Sequence, residues 1–164
     1  NAVPKLGEAL YVDRNGDGKL SVDDYHVIGD ANPDFFGGLS NNFTYKRFTL
    51  NFYISYSQGN QIMNIADAFY NSGDLLSNQY KSLVNRWSPQ NPTSDIPAFS
   101  RDYIPNTRWV YDGSFIRLKS LTLGYNIPAK TLHAHWFQNI NVYLSGSNLF
   151  LITSYPYYDP ETNA

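Results

Sequence analysis

The sequence predicts an all-β chain of antiparallel strands, with short helices confined to one long loop. Three observations predict it. Phe48, Leu50, Phe52, Ile54 and Tyr56 alternate with Thr49, Asn51, Tyr53, Ser55 and Ser57, the strict alternation of a strand with one apolar and one polar face. Two further segments, near 114–127 and 139–153, also read as strands. The connections are short, long and short, so two tight links fall on one side and the long excursion on the other. That asymmetry, with strands of ~10 residues, is the pattern of a transmembrane β-barrel. A soluble β-sandwich would also alternate, so this pattern leaves both architectures open.

Residues 1–34 carry an Asp-rich loop and end in the turn-forming "GDANPD". Residues 35–57 read as a β-hairpin. In its first strand Phe35, Leu39, Phe43 and Tyr45 share a parity with Gly37 and Asn41, and Lys46-Arg47 makes a tight turn. Residues 58–113 lose the alternation and read as a long loop with two short helices. Ile62, Ile65, Ala66, Phe69 and Tyr70 form one helical stripe, closed by Gly73. Leu76, Tyr80, Leu83, Val84 and Trp87 form another, ending before Pro89, and a Pro/Ser/Asn-rich loop follows. Residues 114–149 read as a second hairpin, and 150–164 as the start of a further loop. Within 114–127, Arg117 and Lys119 share the parity of Leu121, Leu123 and Tyr125, which predicts a bulge or a change of environment.

At 164 residues the chain can bury one sizeable core. A net charge of -2 gives no electrostatic case for nucleic acid. No cysteine is present, which excludes disulfides, thiolate metal sites and a Cys nucleophile. No run approaches the ~20 apolar residues of a spanning helix. Fourteen Tyr, ten Phe and three Trp fit a surface that meets sugars, lipid headgroups or other proteins. The chain starts without Met and stops at "DPETNA", which reads as a piece of a longer protein.

The acidic loop has calcium spacing. Counting from Asp13, oxygen donors fall on Asp13, Asn15, Asp17, the Lys19 carbonyl, Ser21 and Asp24, with Gly18 at the sharp turn. Calcium is a hard cation that takes about six to eight oxygens, which is why this pattern suits it. Asp24 stands where such loops carry a bidentate Glu, and no pair of long helices flanks the loop. A structural Ca2+ is therefore expected, not a sensor. An Asp/Asn/Gly turn closed by its own hydrogen bonds is the plainer alternative.

No catalytic constellation stands out, and the chain reads as a non-enzyme with no organic cofactor. His133 and His135 read as a solvated turn, His26 is isolated, and Asp67, Asp74, Asp95 and Asp102 read as solvated loop acids. The aromatics Tyr70, Tyr80, Trp87, Trp109 and Tyr111 are the candidates for substrate or partner contact, by stacking on sugar rings or packing against protein. Tyr45, Tyr125 and Trp136 lie near the short-turn ends, where an interfacial aromatic belt would sit.

Four stretches in order resemble one family. They are residues 11–60, with the acidic loop, "IGDANPDFFGG" and the hairpin; "RWSPQNPTSDIP"; "GSFIRLKSLTLGYNIP"; and "VYLSGSNLFLITSYPYYDPE". Together they are similar to the C-terminal barrel portion of the SusC/RagA family of TonB-dependent outer-membrane transporters. The resemblance implies about four strands of a barrel of ~22 around a plug, in the outer membrane of a Gram-negative bacterium. It puts 1–34, 58–113 and 150–164 outside the cell. It implies import of oligosaccharides or peptides, with a SusD-like lipoprotein lid, the TonB complex and membrane lipid as partners of the full-length protein. The rival reading is a secreted, calcium-stapled β-sandwich that binds carbohydrate. A dockerin-like module would need a second calcium loop, which the sequence lacks.

Overall fold

The computed structural model describes residues 5–72, 78–98, 105–128 and 139–163. In chain order the strands are β1 (Phe35–Tyr45), β2 (Phe48–Gln58), β3 (Gln61–Met63), β4 (Val110–Asp112), β5 (Phe115–Pro128) and β6 (Asn139–Thr153). One α-helix, α1 (Ile65–Ser72), and short 3-10 turns complete the described residues. The main sheet is four-stranded, fully antiparallel and ordered β1-β2-β5-β6. β3 and β4 are the two short strands on which the chain leaves and re-enters that sheet. No described helix is long and apolar enough to cross a membrane.

The chain divides into two compact units, 30–62 with 112–164 and 1–29 with 63–111. The first contains the sheet. Its alternation carries directly into its register. Phe48 lies opposite Tyr125, Leu50 opposite Leu123 and Phe52 opposite Leu121, so these residues share one face. Leu39 opposite Ile54, Phe43 opposite Leu50, and Tyr45 opposite Phe48 extend that face onto β1. Leu144 opposite Leu123, and Phe150 opposite Leu118, extend it onto β6. Thr49, Asn51, Thr122, Asn126, Asn141 and Ser145 lie on the other face. The β1–β2 turn needs a left-handed residue, and Lys46 takes that conformation at φ 56. The fourth strand runs from Asn139 to Thr153, as its alternation predicts, so the hairpin extends past the bound at 149.

The expected irregularity is a double bulge. On β5, Leu118 pairs with Ile54 and Ser120 with Tyr53, which leaves Lys119 as the extra residue. On β6, Phe150 pairs with Leu118 and Ser147 with Ser120, leaving Asn148 and Leu149 between them. Asn148 turns the chain there with φ 51, in a region that Asn tolerates better than most residues. An extra residue shifts the pleat, so Arg117 and Leu121 share a parity and yet lie on opposite faces.

The other unit is an irregular cluster. Ala68, Leu83 and Trp109 are buried in it. Trp87 covers Gly7 so closely that a Cβ there would lie 2.3 Å from Cε3, and Gly7 has φ +87, so only glycine fits. Trp87 N–H donates to the Ile96 carbonyl at 2.8 Å, and Ala98 N–H to the Gly7 carbonyl at 2.7 Å. The first helical stripe differs from expectation at its start: Ile62 belongs to β3, and α1 begins at Ile65 behind Asn64. Asn64 makes the cap, its Oδ1 accepting from Asp67 N–H at 2.8 Å. Among its described residues the second stripe forms a 3-10 turn, Lys81–Asn85, with Leu83 buried and Val84 exposed. Gly73, Leu76, Asp74, Asp102, His133, His135 and Trp136 lie outside the described residues.

Candidate functional site

Three features could carry function: the two-faced sheet, the acidic loop and the aromatics of the long excursion. The sheet's apolar face is exposed across its width, at 55% for Phe43, 51% for Phe48, 46% for Leu123 and 75% for Leu144. Aromatic pairs tie the strands on this face. The Phe48 and Tyr125 rings lie 4.6 Å apart, and those of Phe43 and Phe52 stack at 6.0 Å. Tyr45 and Tyr125 both sit at the tight-turn end of the apolar face. On the polar face at that same end, a shallow hollow of about 230 Å³ is lined by Thr49, Thr122, Gly124, Asn126 and Asn141 among others.

At the opposite end the polar face holds a charge cluster. The bulge leaves Arg117 there, opposite Ser55 and Leu151, with its side chain 7% exposed. Its guanidinium pairs with Asp159, and its Nε lies 3.1 Å from Glu161 Oε2. Lys119 pairs with the other Glu161 oxygen. Arg117 is the buried member of this group, while Asp159, Glu161 and Lys119 are each about one-third exposed, so loss of both acids strands the guanidinium and water screens the other charges. Sequence reading missed this cluster, because the acids lie 42 residues from their partners. The signal that could have pointed to it is the parity conflict at Arg117 and Lys119.

The acidic loop is closed by its own side chains. Asp13 accepts from Gly16 N–H at 2.7 Å and Gly18 N–H at 2.8 Å. Asn15 accepts from Asp17 N–H at 2.9 Å, and Asp17 from Lys19 N–H at 2.8 Å. Asp24 accepts from Arg14 and Ser21 N–H, both at 2.8 Å, and Ser21 Oγ accepts from Asp23 N–H at 3.1 Å. Ser21 and Asp24 thus form a reciprocal cap on the 3-10 turn Val22–Asp24. The Ser21 N–H first, then the Arg14 N–H, hold the Asp24 carboxyl below the usual carboxylate range, and burial pulls the other way. Among the described residues no group of three or more His, Cys, Asp or Glu gathers as a metal site. A carboxylate has about four lone-pair positions, so these hydrogen bonds leave oxygens free to accept further.

The five candidate aromatics separate. Tyr70 and Tyr80 come together, rings 5.6 Å apart, and Phe69 meets Tyr70 at 5.6 Å. Both tyrosines stay exposed, at 37% and 36%. Trp109 is buried, which takes its ring out of the contact set, and Trp87 is engaged with Gly7. The Tyr111 hydroxyl donates to Asp67. Asp67 is no solvated loop acid: it is 1% exposed, and it accepts from Asn71 as well as Tyr111. A buried carboxylate needs such donors, and α1 places Asn71 one turn from Asp67.

No protein-family profile matches the chain. It is 40% identical over 158 residues to TonB-dependent receptor P3 of Formosa agariphila, covering 96% of this chain and 16% of that protein. TonB-dependent receptor P26 of the same organism is 39% identical, covering 95% and 16%. TonB-dependent receptor SusC of Bacteroides thetaiotaomicron is 26% identical, covering 96% and 16%. The chain thus spans about a sixth of the length of these relatives. Among solved structures, the RagAB peptide importer in its open-open state is similar with a TM-score of 0.76 and 28% identity, covering 88% of this chain and 16% of that one. Its closed-closed state gives the same score and identity, covering 92% and 18%.

Proposed function

Taking as premise that this chain belongs to the SusC/RagA family of TonB-dependent receptors, we propose that it forms part of the barrel wall of an outer-membrane nutrient importer. The observation that carries this reading is the sheet itself: one face is mostly apolar and exposed, and the other carries most of the polar side chains, with Phe36, Phe115 and Leu151 among them. In a barrel wall the first face meets lipid and the second the lumen. The strands are 11, 11, 14 and 15 residues long, enough to cross a bilayer when tilted. β1 and β6 are edges, and in lipid their backbone groups require neighbouring strands, which the rest of a barrel supplies.

The cargo in this reading is an oligosaccharide or a peptide, taken up with a SusD-like lipoprotein and driven by TonB. The similarity to a peptide importer favours neither cargo at 28% identity. Tyr70 and Tyr80 are the pair offered for contact with cargo or lid. The acidic loop takes a structural Ca2+ through Asp13, Asn15, Asp17, the Lys19 carbonyl, Ser21 and Asp24, because it presents hard oxygens at the right spacing. The chain carries no catalytic step here.

The test is deletion of the gene for the parent protein, followed by uptake of labelled oligosaccharide and peptide pools. Loss of accumulation of one pool, reproduced by an uncoupler of the proton-motive force, supports the reading and names the cargo. Unchanged uptake of both pools overturns it.

A further inference from the structure

We infer that residues 154–161 form a strap across the polar face, latched at its tip by charge. The strap starts from a fixed base. Thr153 Oγ1 donates to the Ser114 carbonyl at 2.8 Å and accepts from Tyr155 N–H at 3.1 Å. Ser154 Oγ donates to Asp112 Oδ2 at 2.8 Å, and the Tyr155 ring is buried. The middle is exposed, with Tyr158 at 90%. The tip returns to the sheet, where Asp159 and Glu161 meet Arg117 and Lys119. Glu161 N–H also donates to Asp159 Oδ1 at 3.0 Å, which holds the two acids in one cluster.

The bulge is what makes the latch. Without Lys119 as the extra residue, Arg117 would share the face of Leu121 and point away from the strap. With it, two cations face two carboxylates on the polar side, and Arg117 is buried beneath them. A buried guanidinium that loses its anions must regain water. Neutralising the strap acids therefore lifts the tip, while the base stays held by Thr153, Ser154 and Tyr155. On the reading that the polar face lines a lumen, the strap lies in the passage. The latch itself does not depend on that reading.

The test uses the full-length parent protein in detergent, with spin labels at Tyr158→Cys and Tyr143→Cys and any other cysteines replaced. The expected result is one narrow distance distribution, lost in Asp159→Asn/Glu161→Gln. It returns when the charges are exchanged, with Arg117→Glu and Lys119→Glu combined with Asp159→Arg and Glu161→Arg. A native distribution in the neutralised strap overturns the latch and leaves packing of Tyr155 and Pro160 as what holds it. If the exchanged protein does not assemble, Arg117→Met/Lys119→Met serves as the second variant, and a native distance there overturns the latch equally. The distances read the strap whether or not the protein transports, so failure of the latch and failure of the importer reading are separable.

Discussion

Phe48 and Tyr125 face each other across β2 and β5, with ring centroids 4.6 Å apart at a 51° tilt. The pair stands at the tight-turn end of the apolar face, one residue past the Lys46-Arg47 turn. Tilted aromatic pairs couple beyond the area they bury, and cross-strand pairs are the unit of sheet stability. A double-mutant cycle of Phe48→Ala and Tyr125→Ala in the refolded parent should give a coupling of about 0.5–1.5 kcal/mol in denaturant unfolding. Additive single effects would show that the rings act independently.

Leu123 and Thr122 are neighbours in sequence and point to opposite faces. Leu123→Arg should lower the assembled, heat-modifiable barrel in the membrane fraction, since a cation on the lipid side costs up to about 2–4 kcal/mol at midplane and less toward an interface. Thr122→Arg should assemble normally. Equal damage from both would count against a lipid face, and reversed damage would assign the faces the other way.

Calcium should raise the melting temperature of the parent protein, and EDTA should reverse the rise. Asp17→Asn keeps an oxygen for the Lys19 N–H but removes a charge, so it should weaken the calcium response with little effect in EDTA. Identical melting with calcium and with EDTA would leave the loop as a turn closed by hydrogen bonds alone.

The acidic loop should also loosen at low pH. The Asp24 carboxyl is held below its ordinary value in the folded chain, chiefly by the Ser21 and Arg14 N–H groups. Its contribution is thus full above the ordinary carboxylate range, near pH 4, and is lost as pH falls through the lowered value. Amide exchange at Ser21 and Arg14, corrected for intrinsic rate, should speed up over that window. Asp24→Asn should flatten the dependence, and a wild-type slope in that variant would refute the assignment.

Much of the sheet is legible in the sequence because side-chain direction in an extended chain is a local property. Phe48 and Thr49 point apart whatever strand lies beside them, so alternation alone assigns the two faces of β2. The spacing of Asp13, Asn15, Asp17 and Asp24 likewise describes a tight loop, since each of these side chains bonds backbone within eleven positions.

Arg117, Asp67 and Trp109 were not legible in that way. Parity in β5 puts Arg117 with Leu121 and signals a bulge or a change of environment, but only pairing with β2 and β6 shows that it is a bulge and that Lys119 is the extra residue. Asp67 resembles any solvated acid until α1 and Tyr111 enclose it, and Trp109 resembles any exposed loop aromatic until its unit folds around it. The sequence by itself determined the alternating strands and the acidic turn, because those follow from dihedral preferences and contacts a few residues apart. The tertiary structure alone decided the partners across 42 to 44 residues, which residue of β5 is the extra one, and the folded-back strap. Such choices depend on which distant groups the closed chain brings together, and no local pattern encodes the free energy of that closure.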